Sequence, residues 1–147
     1  MQCTRQADEA AAHDEQLAAP LAPALADGWH LASATAHVKG RNGVALLSRM
    51  PFDDVRIGCG AEEFACHGRY IEADTAGVTV GSVYVPTGEA ETERQREKER
   101  FMAAVQARMA DLLVCGTDAV LCGDWNIAHT ENDIKNRWNS IIRKKTH

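Results

Sequence analysis

Hydrophobic positions in this 147-residue sequence form one long helical stripe and several shorter strand-like runs. In the segment "EAETERQREKERFMAAVQARMADLL", Phe101, Val105, Met109 and Leu112 recur at helical spacing, while arginines and glutamates fill the other positions. This pattern predicts an amphipathic helix with one buried face. Upstream, an alanine-rich stretch that is interrupted by prolines and closed by Gly28 predicts one or two short helices.

The strand-like runs lie on both sides of that helix. "GVALLSR" (43–49) is a candidate buried strand, and "RYIEAD" (69–74) and "GVTVGSVYVPTG" (77–88) predict a hairpin that turns at "TAG". After the helix, "AVLCGD" (119–124) predicts one more strand. Because strands outnumber helices and neighbouring strands are expected to be antiparallel, the pattern favours a mixed sheet or sandwich covered by helices.

Composition restricts the class of protein more than it indicates a function. The hydrophobic content of 45% and the charged content of 25% are ordinary for a globular protein, and no apolar run approaches the length of a membrane span. The first residues lack the layout of a signal peptide, and five scattered cysteines form no CxxC pair. We therefore expect reduced thiols, a cytoplasmic location and no membrane partner. The net charge of −5 disfavours nucleic-acid binding by bulk attraction, although local charge or a bound metal would change that balance.

An acid and an amide directly follow the last predicted strand. Asp124 and Asn126 are two residues apart, so in an extended chain their side chains would project to the same side. Their oxygen atoms are of the kind that suits Mg²⁺ or Mn²⁺ and the groups around a phosphate. The same residue types are also common where a strand ends in a simple turn, and the residues alone leave both interpretations open.

Three segments in this order, "GRNGVALLSR", "SVYVPTGE" and "GDWNIAHTENDIKN", resemble the exonuclease III family of apurinic/apyrimidinic endonucleases, which belongs to the endonuclease/exonuclease/phosphatase superfamily. The resemblance implies an α/β (α+β) fold, a partial DNase I-like four-layer β-sandwich flanked by helices, over residues 1–136. It implies a monomeric DNA repair nuclease that hydrolyses phosphodiesters at abasic sites and 3′ ends of double-stranded DNA. The implied cofactor is Mg²⁺ or Mn²⁺.

The resemblance also implies roles for individual residues. Asp124 would be the general acid or base that acts on the attacking water, and Asn126 would hold the phosphate and help to bind metal. Tyr84, from the Y-x-P-x-G segment, would reach the phosphate. Without the resemblance, a strand tyrosine is more simply a packing residue with a satisfied hydroxyl.

Three further residues are implied to face the DNA: Arg69, which opens "RYIEAD", and Arg41 and Asn42 in the loop before "GVALLSR". Taken alone, Arg69 would be read as one partner of a surface ion pair. The tryptophans are expected to serve packing rather than base stacking.

The sequence departs from the family pattern at its ends. The start aligns with the family's Leu-Gln-Glu-Thr so that Cys3 occupies the position of the usual glutamate ligand, and the family's first strand and its C-terminal acidic residues are not found. We therefore expect the chain to be inactive, or nearly so, by itself. Residues 137–147 form a basic tail, expected to be helical, and "TENDIKNRWNSIIRKK" is similar to a Myb-type recognition helix. The alternative function is thus a non-catalytic remnant that binds nucleic acid through this tail.

Overall fold

A computed structural model describes residues 17, 19–37 and 42–127 of the chain. Cys3, Arg41 and the basic tail lie outside the described residues. A helix, α1, covers residues 19–26 as the alanine-rich stretch predicts. The elements that follow are β1 (His30–Thr35), β2 (Gly43–Ser48), β3 (Asp54–Ile57), a short 3₁₀ helix (Glu62–Phe64), β4 (Tyr70–Thr75), β5 (Val78–Tyr84), α2 (Glu93–Val114) and β6 (Ala119–Asp124).

The described strands form two sheets. Strands β1 and β2 pair antiparallel, and β3-β4-β5-β6 form a four-stranded sheet in that order. The predicted hairpin is confirmed: β4 and β5 pair antiparallel across a turn in which Ala76 and Gly77 both have positive φ. The expectation that neighbouring strands are antiparallel is wrong for β5 and β6, which are parallel. The 22-residue helix α2 returns the chain to the starting end of the sheet, and such a crossover makes parallel pairing possible.

Two apolar clusters join three layers, which are the β1-β2 sheet, the four-stranded sheet and helix α2. One lies between the sheets and joins small and branched side chains of β1, β2 and β4: Ala32, Ala34, Val44, Leu46, Ile71 and Ala73. The other lies between the four-stranded sheet and α2, where Phe101 and Val105 of the helix pack against Val83, Val85 and Tyr70. Phe101 also meets Phe64 of the 3₁₀ helix edge to face, with ring centroids 5.1 Å apart. The mixed α/β architecture predicted from the pattern is confirmed.

The stripe predicted on α2 is buried only in its first half. Phe101 and Val105 are buried, but Met109 is 42% exposed and Leu112 is half-buried, while the neighbouring Leu113 is 78% exposed. Strand β6 beside them exposes Val120 as well. Among the described residues no element covers the second half of α2 and the adjoining edge strand β6. The apolar stripe of α2 therefore extends beyond the core that these residues form.

A buried acid ties α2 to the sheet on the helix side. Glu72 of β4 is almost fully buried, and its carboxylate accepts hydrogen bonds from Arg56 of β3, Arg108 of α2 and the hydroxyl of Tyr70. Burial alone would raise the pKa of Glu72, but the hydrogen bonds from Arg108, Arg56 and Tyr70 outweigh it and hold that pKa below its usual value. Arg56 also forms a bidentate pair with Asp74, with N–O distances of 2.7 and 2.8 Å.

This network makes stability sensitive to acid. The hydrogen bonds from Arg56 and then Thr79 lower the pKa of Asp74 from 3.8 to about 2. A carboxyl whose pKa is depressed by folding stabilises the native state above its unfolded pKa, and that contribution is lost as the pH falls through the folded value. We expect the free energy of unfolding, measured with urea, to fall between about pH 4 and 2. Asp74→Asn should make this fall smaller. The control Asp111→Asn, on the exposed side of α2, should leave it unchanged. If the unmutated chain and both variants lose stability in parallel as the pH falls, Asp74 is not the source of the acid sensitivity.

The cysteines differ in state among the described residues. Cys59, Cys115 and Cys122 are free thiols, whereas Cys66 is disulfide-bonded, so the expectation of reduced thiols is wrong at Cys66. Burial raises the pKa of the Cys59 thiol, which lies in the core beneath α2. None of the helices within the described ranges has the length and apolarity needed to cross a membrane.

Candidate active site

Two of the predicted catalytic residues meet where the parallel strands end. Tyr84 is the last residue of β5 and Asp124 is the last residue of β6, and the two are register partners. Register partners on adjacent strands lie on the same face of a sheet, so both side chains start from the same face at the carboxyl edge. In open α/β sheets, ligands bind outside this edge. The Asp124 side chain is exposed there, which leaves it open to water and substrate.

The segment after β6 is a turn rather than a continued strand. Asn126 has a φ of +48°, and its backbone N–H donates to Oδ1 of Asp124 at 2.9 Å. The Asn126 side-chain amide donates to the carbonyl of Val85 at 2.7 Å, which attaches the turn to the end of β5. The expectation that Asp124 and Asn126 project together from an extended chain is therefore wrong. The geometry is that of an Asx turn, in which an aspartate accepts from the backbone two residues later.

Gly123 allows β6 to approach β5 at this edge. Its φ is +140°, and a Cβ atom there would lie 1.9 Å from the carbonyl oxygen of Val83. No side chain fits at that distance from a backbone atom, so glycine is required directly before Asp124. The motif "CGDWN" is thus partly a packing motif that sets the register on which the Tyr84–Asp124 pairing depends.

We expect Gly123→Ala to reduce the free energy of unfolding by about 3 kcal/mol, because strain and a backbone clash act together. Gly116→Ala is the matched control, since Gly116 also has a positive φ but has open space around its Cβ position. That variant should lose only about 1–2 kcal/mol from backbone strain. Urea unfolding of both variants measures the difference, and equal losses would show that the close approach to Val83 does not matter.

A cleft of about 510 Å³ brings together the described residues that were predicted to face the substrate. Asn42, Arg69 and Tyr84 line it. The Arg69 guanidinium lies over the Tyr84 ring, 4.9 Å from its centroid, and donates to the Tyr84 carbonyl at 3.3 Å. Asn42 donates to the carbonyl of His67 at 3.4 Å. Arg69 is therefore held against both the ring and the backbone carbonyl of Tyr84.

The cleft contains further polar groups that the sequence did not single out. His67 lies 3.7 Å from the Glu97 carboxylate, and Arg94 of α2 lines the same wall. Asp124 and Asn126 are not among the residues that line this cleft, but Asp124 is the register partner of Tyr84, which does line it.

Lys98 of α2 is also missing from the sequence-based set. Its Nζ donates to the carbonyl of Asn126 at 2.7 Å. The signal was present in the sequence, because Lys98 precedes the buried Phe101 by three residues and so lies on the inner face of the helix.

The described residues provide part of a donor set for a divalent metal. The Asp124 carboxylate and the Asn126 side-chain oxygen are hard oxygen donors of the type that Mg²⁺ and Mn²⁺ prefer. No group of three or more histidine, cysteine, aspartate or glutamate side chains that could hold a metal exists within residues 17, 19–37 and 42–127. Asp124 and Asn126 thus offer the donor types that such an ion takes, and the described residues do not assemble a full set of ligands.

Comparison with known proteins adds three related molecules. The DNA repair nuclease APEX1 of Danio rerio is 34% identical over 102 residues, which cover 67% of this chain and 31% of that protein. An exodeoxyribonuclease of Bacillus subtilis is 34% identical over 98 residues, covering 67% of this chain and 38% of the relative. The structure of an AP endonuclease from Archaeoglobus fulgidus superposes with a TM-score of 0.66 at 31% identity, covering 76% of this chain and 43% of that one.

The chain therefore spans about a third of the length of the curated relatives it matches. The superposition agrees with the fold class expected from the resemblance. The model of the Endonuclease/Exonuclease/phosphatase family matches residues 7–141, which is most of the sequence. The chain belongs to the Endonuclease/Exonuclease/phosphatase family.

Proposed function

We propose that this chain carries part of the active site of a metal-dependent DNA repair nuclease that hydrolyses phosphodiesters at abasic sites and 3′ ends of double-stranded DNA. The observation that carries the proposal is the register pairing of Tyr84 with Asp124 at the carboxyl edge of β5 and β6. Family membership supports it, as do relatives named as a DNA repair nuclease and an exodeoxyribonuclease. In this proposal the enzyme is a cytoplasmic monomer.

The proposed chemistry divides the reaction among Asp124, Asn126, Tyr84 and a bound metal. Asp124 uses one oxygen to hold the Asn126 N–H, which leaves its other oxygen to accept a proton from the attacking water. Tyr84 and the side-chain amide of Asn126 donate to the phosphoryl oxygens, where negative charge grows in the transition state. A bound Mg²⁺ or Mn²⁺ would supply Lewis-acid stabilisation of that charge, with Asp124 and Asn126 among its ligands.

The cleft supplies binding rather than chemistry in this proposal. Arg69 is held in place by Tyr84, so its cationic head is oriented before the DNA arrives and little side-chain entropy is lost on binding. Arg94 adds a second positive charge on the same wall, and Asn42 adds a neutral hydrogen-bonding group. With the Glu97 carboxylate also in the lining, the two arginines leave a local positive excess, which supplies the attraction for a phosphodiester that the net charge of −5 does not provide. Arg41, adjacent to Asn42 in sequence, is proposed to extend this contact.

The 147-residue chain is expected to bind an abasic duplex weakly and to show no detectable Mg²⁺-dependent nicking, because Asp124 and Asn126 alone hold a strongly hydrated ion poorly. Fluorescence anisotropy measures the binding. Arg69→Met should weaken it about tenfold, which is the effect of one hydrogen bond to a charged group. Arg96→Met is the matched control, since Arg96 is exposed on α2 and pairs only with Glu93 among the described contacts.

Equal affinities for the Arg69→Met and Arg96→Met variants would contradict the assigned binding surface. Robust nicking by the chain that disappears in Asp124→Asn would contradict the expectation that the chain is inactive alone. The alternative, a non-catalytic remnant that binds nucleic acid through residues 137–147, predicts salt-sensitive binding that ignores Arg69 and is lost when those residues are deleted.

A further inference from the structure

Three separate segments converge at Asn126. The turn after β6 carries Asn126, the loop after β5 carries the Val85 carbonyl that accepts from the Asn126 side chain, and α2 carries Lys98, whose ammonium donates to the Asn126 carbonyl. With the Asp124 carboxylate on its backbone N–H, Asn126 is fixed at its N–H, its carbonyl and its side chain. Asn126 has a φ of +48°, a left-handed conformation that asparagine tolerates better than most residues, and these three hydrogen bonds hold it there.

Lys98 reaches the Asn126 carbonyl by passing close to Gly88, in the loop after β5. A Cβ atom at Gly88 would lie 2.9 Å from Cδ of Lys98 and 2.2 Å from Oε1 of Gln95. Glycine at position 88 therefore lets the Lys98 stem cross the loop after β5 and approach the turn after β6. The bond is partly buried, which makes the ammonium–carbonyl hydrogen bond stronger than it would be in open water.

We propose that Lys98 is a positioning residue that holds the Asn126 turn in its left-handed conformation, so that the Asn126 side chain is presented at the carboxyl edge beside Tyr84. This inference rests on the proposed function for its consequence, since Asn126 is there assigned to the phosphate. The Lys98–Asn126 hydrogen bond connects the second turn of α2 to the carboxyl edge of the sheet, where the proposed catalytic residues lie. Lys98 acts through Asn126 and need not touch the substrate.

The first test uses the ¹⁵N-labelled 147-residue chain and reads Asn126 directly. The Asn126 side-chain resonance is identified by its loss in Asn126→Ala. In Lys98→Met, hydrogen exchange at the Asn126 backbone N–H should rise about tenfold and the side-chain amide resonance should shift. Lys98→Arg keeps a cationic donor of similar reach and should restore both signals. Arg96→Met, which removes a cation from the exposed side of the same helix, should leave both unchanged.

The second test titrates a short abasic duplex into the same proteins. The Asn126 side-chain resonance should move on binding in the native chain and in Lys98→Arg, and should stop responding in Lys98→Met, while the resonances of Arg69 still respond. If neither the native chain nor the variants bind the duplex, the result counts against the proposed function. The hydrogen-exchange measurement at Asn126 would still decide the role of Lys98.

Unchanged exchange at Asn126 in Lys98→Met would overturn the inference, as would a uniform rise across α2 and β6 or a failure of Lys98→Arg to restore the signals. If Lys98→Met does not fold, Lys98→Gln serves in its place, because glutamine keeps a polar head but is too short to span the same distance.

Discussion

Asp124→Asn and Asn126→Ala should each lower the rate of cleavage at abasic sites by at least about a hundredfold, the scale for loss of a single acid–base group or oxyanion donor. The rate is measured in a chimera in which residues 42–127 of this chain replace the matching segment of the Bacillus subtilis exodeoxyribonuclease. In the proposed mechanism, the aspartate change removes the carboxylate that accepts a proton from water. The asparagine change removes the hydrogen bond to the Val85 carbonyl and the side-chain amide that is proposed to donate to the phosphate.

Asp118→Asn is the matched control for the aspartate change. Asp118 directly precedes the same strand at its opposite end, where its backbone carbonyl accepts from the Thr79 N–H. The same change of charge is then made about one strand length from the proposed site, and the rate should stay within about twofold of the parent chimera. A comparable loss at Asp118, or near-normal rates for Asp124→Asn and Asn126→Ala, would reduce the motif to a strand-end turn.

Glu72→Gln should reduce the free energy of unfolding by about 3–5 kcal/mol, the range for removing one partner of a buried ion pair. The Glu72 side chain is about 1% exposed and lies between Arg56 and Arg108, so glutamine would leave two guanidinium groups beside a neutral amide. The hydroxyl of Tyr70 would lose a charged acceptor as well. Because Arg56 and Arg108 are partly exposed and able to turn toward water, the lower half of the range is expected.

Glu63→Gln provides the comparison for that measurement. Glu63 pairs with Arg100, but both side chains are about half exposed, and a surface pair of this kind contributes about 1 kcal/mol or less. Urea unfolding of both variants at neutral pH gives the two losses. A small loss for Glu72→Gln would show that the network between β3, β4 and α2 does not stabilise the sheet against the helix.

The elements that the sequence predicted correctly are those whose pattern is local. The stripe through Phe101 and Val105 predicts α2, and alternating valines with a tight turn predict the hairpin of β4 and β5. Strands β1 and β3 gave no such signal. β1 ("HLASAT") buries alanines rather than large side chains, and β3 ("DVRI") is attached through the ion pairs of Arg56, which depend on tertiary neighbours.

The candidate site was predicted as a set of residues but not as an arrangement. Resemblance supplied Tyr84 and Asp124, but their adjacency depends on the parallel register of β5 and β6, which a crossover helix and the close approach at Gly123 determine. The conformation of Asn126 was missed because period-two reasoning holds only while the chain stays extended. Lys98 was missed because a lysine in a charged helix is normally read as solvated.

The most direct test of the central claim is nicking of an abasic duplex by the unmutated chimera, assayed with Mg²⁺ and again with the metal removed by a chelator. The account predicts Mg²⁺-dependent nicking at the abasic site, abolished by the chelator and by Asp124→Asn, because residues 42–127 would contribute Tyr84, Asp124 and Asn126 to a completed site. A chimera that folds cooperatively and binds the duplex but never nicks it, or one whose nicking survives Asp124→Asn, would contradict the account.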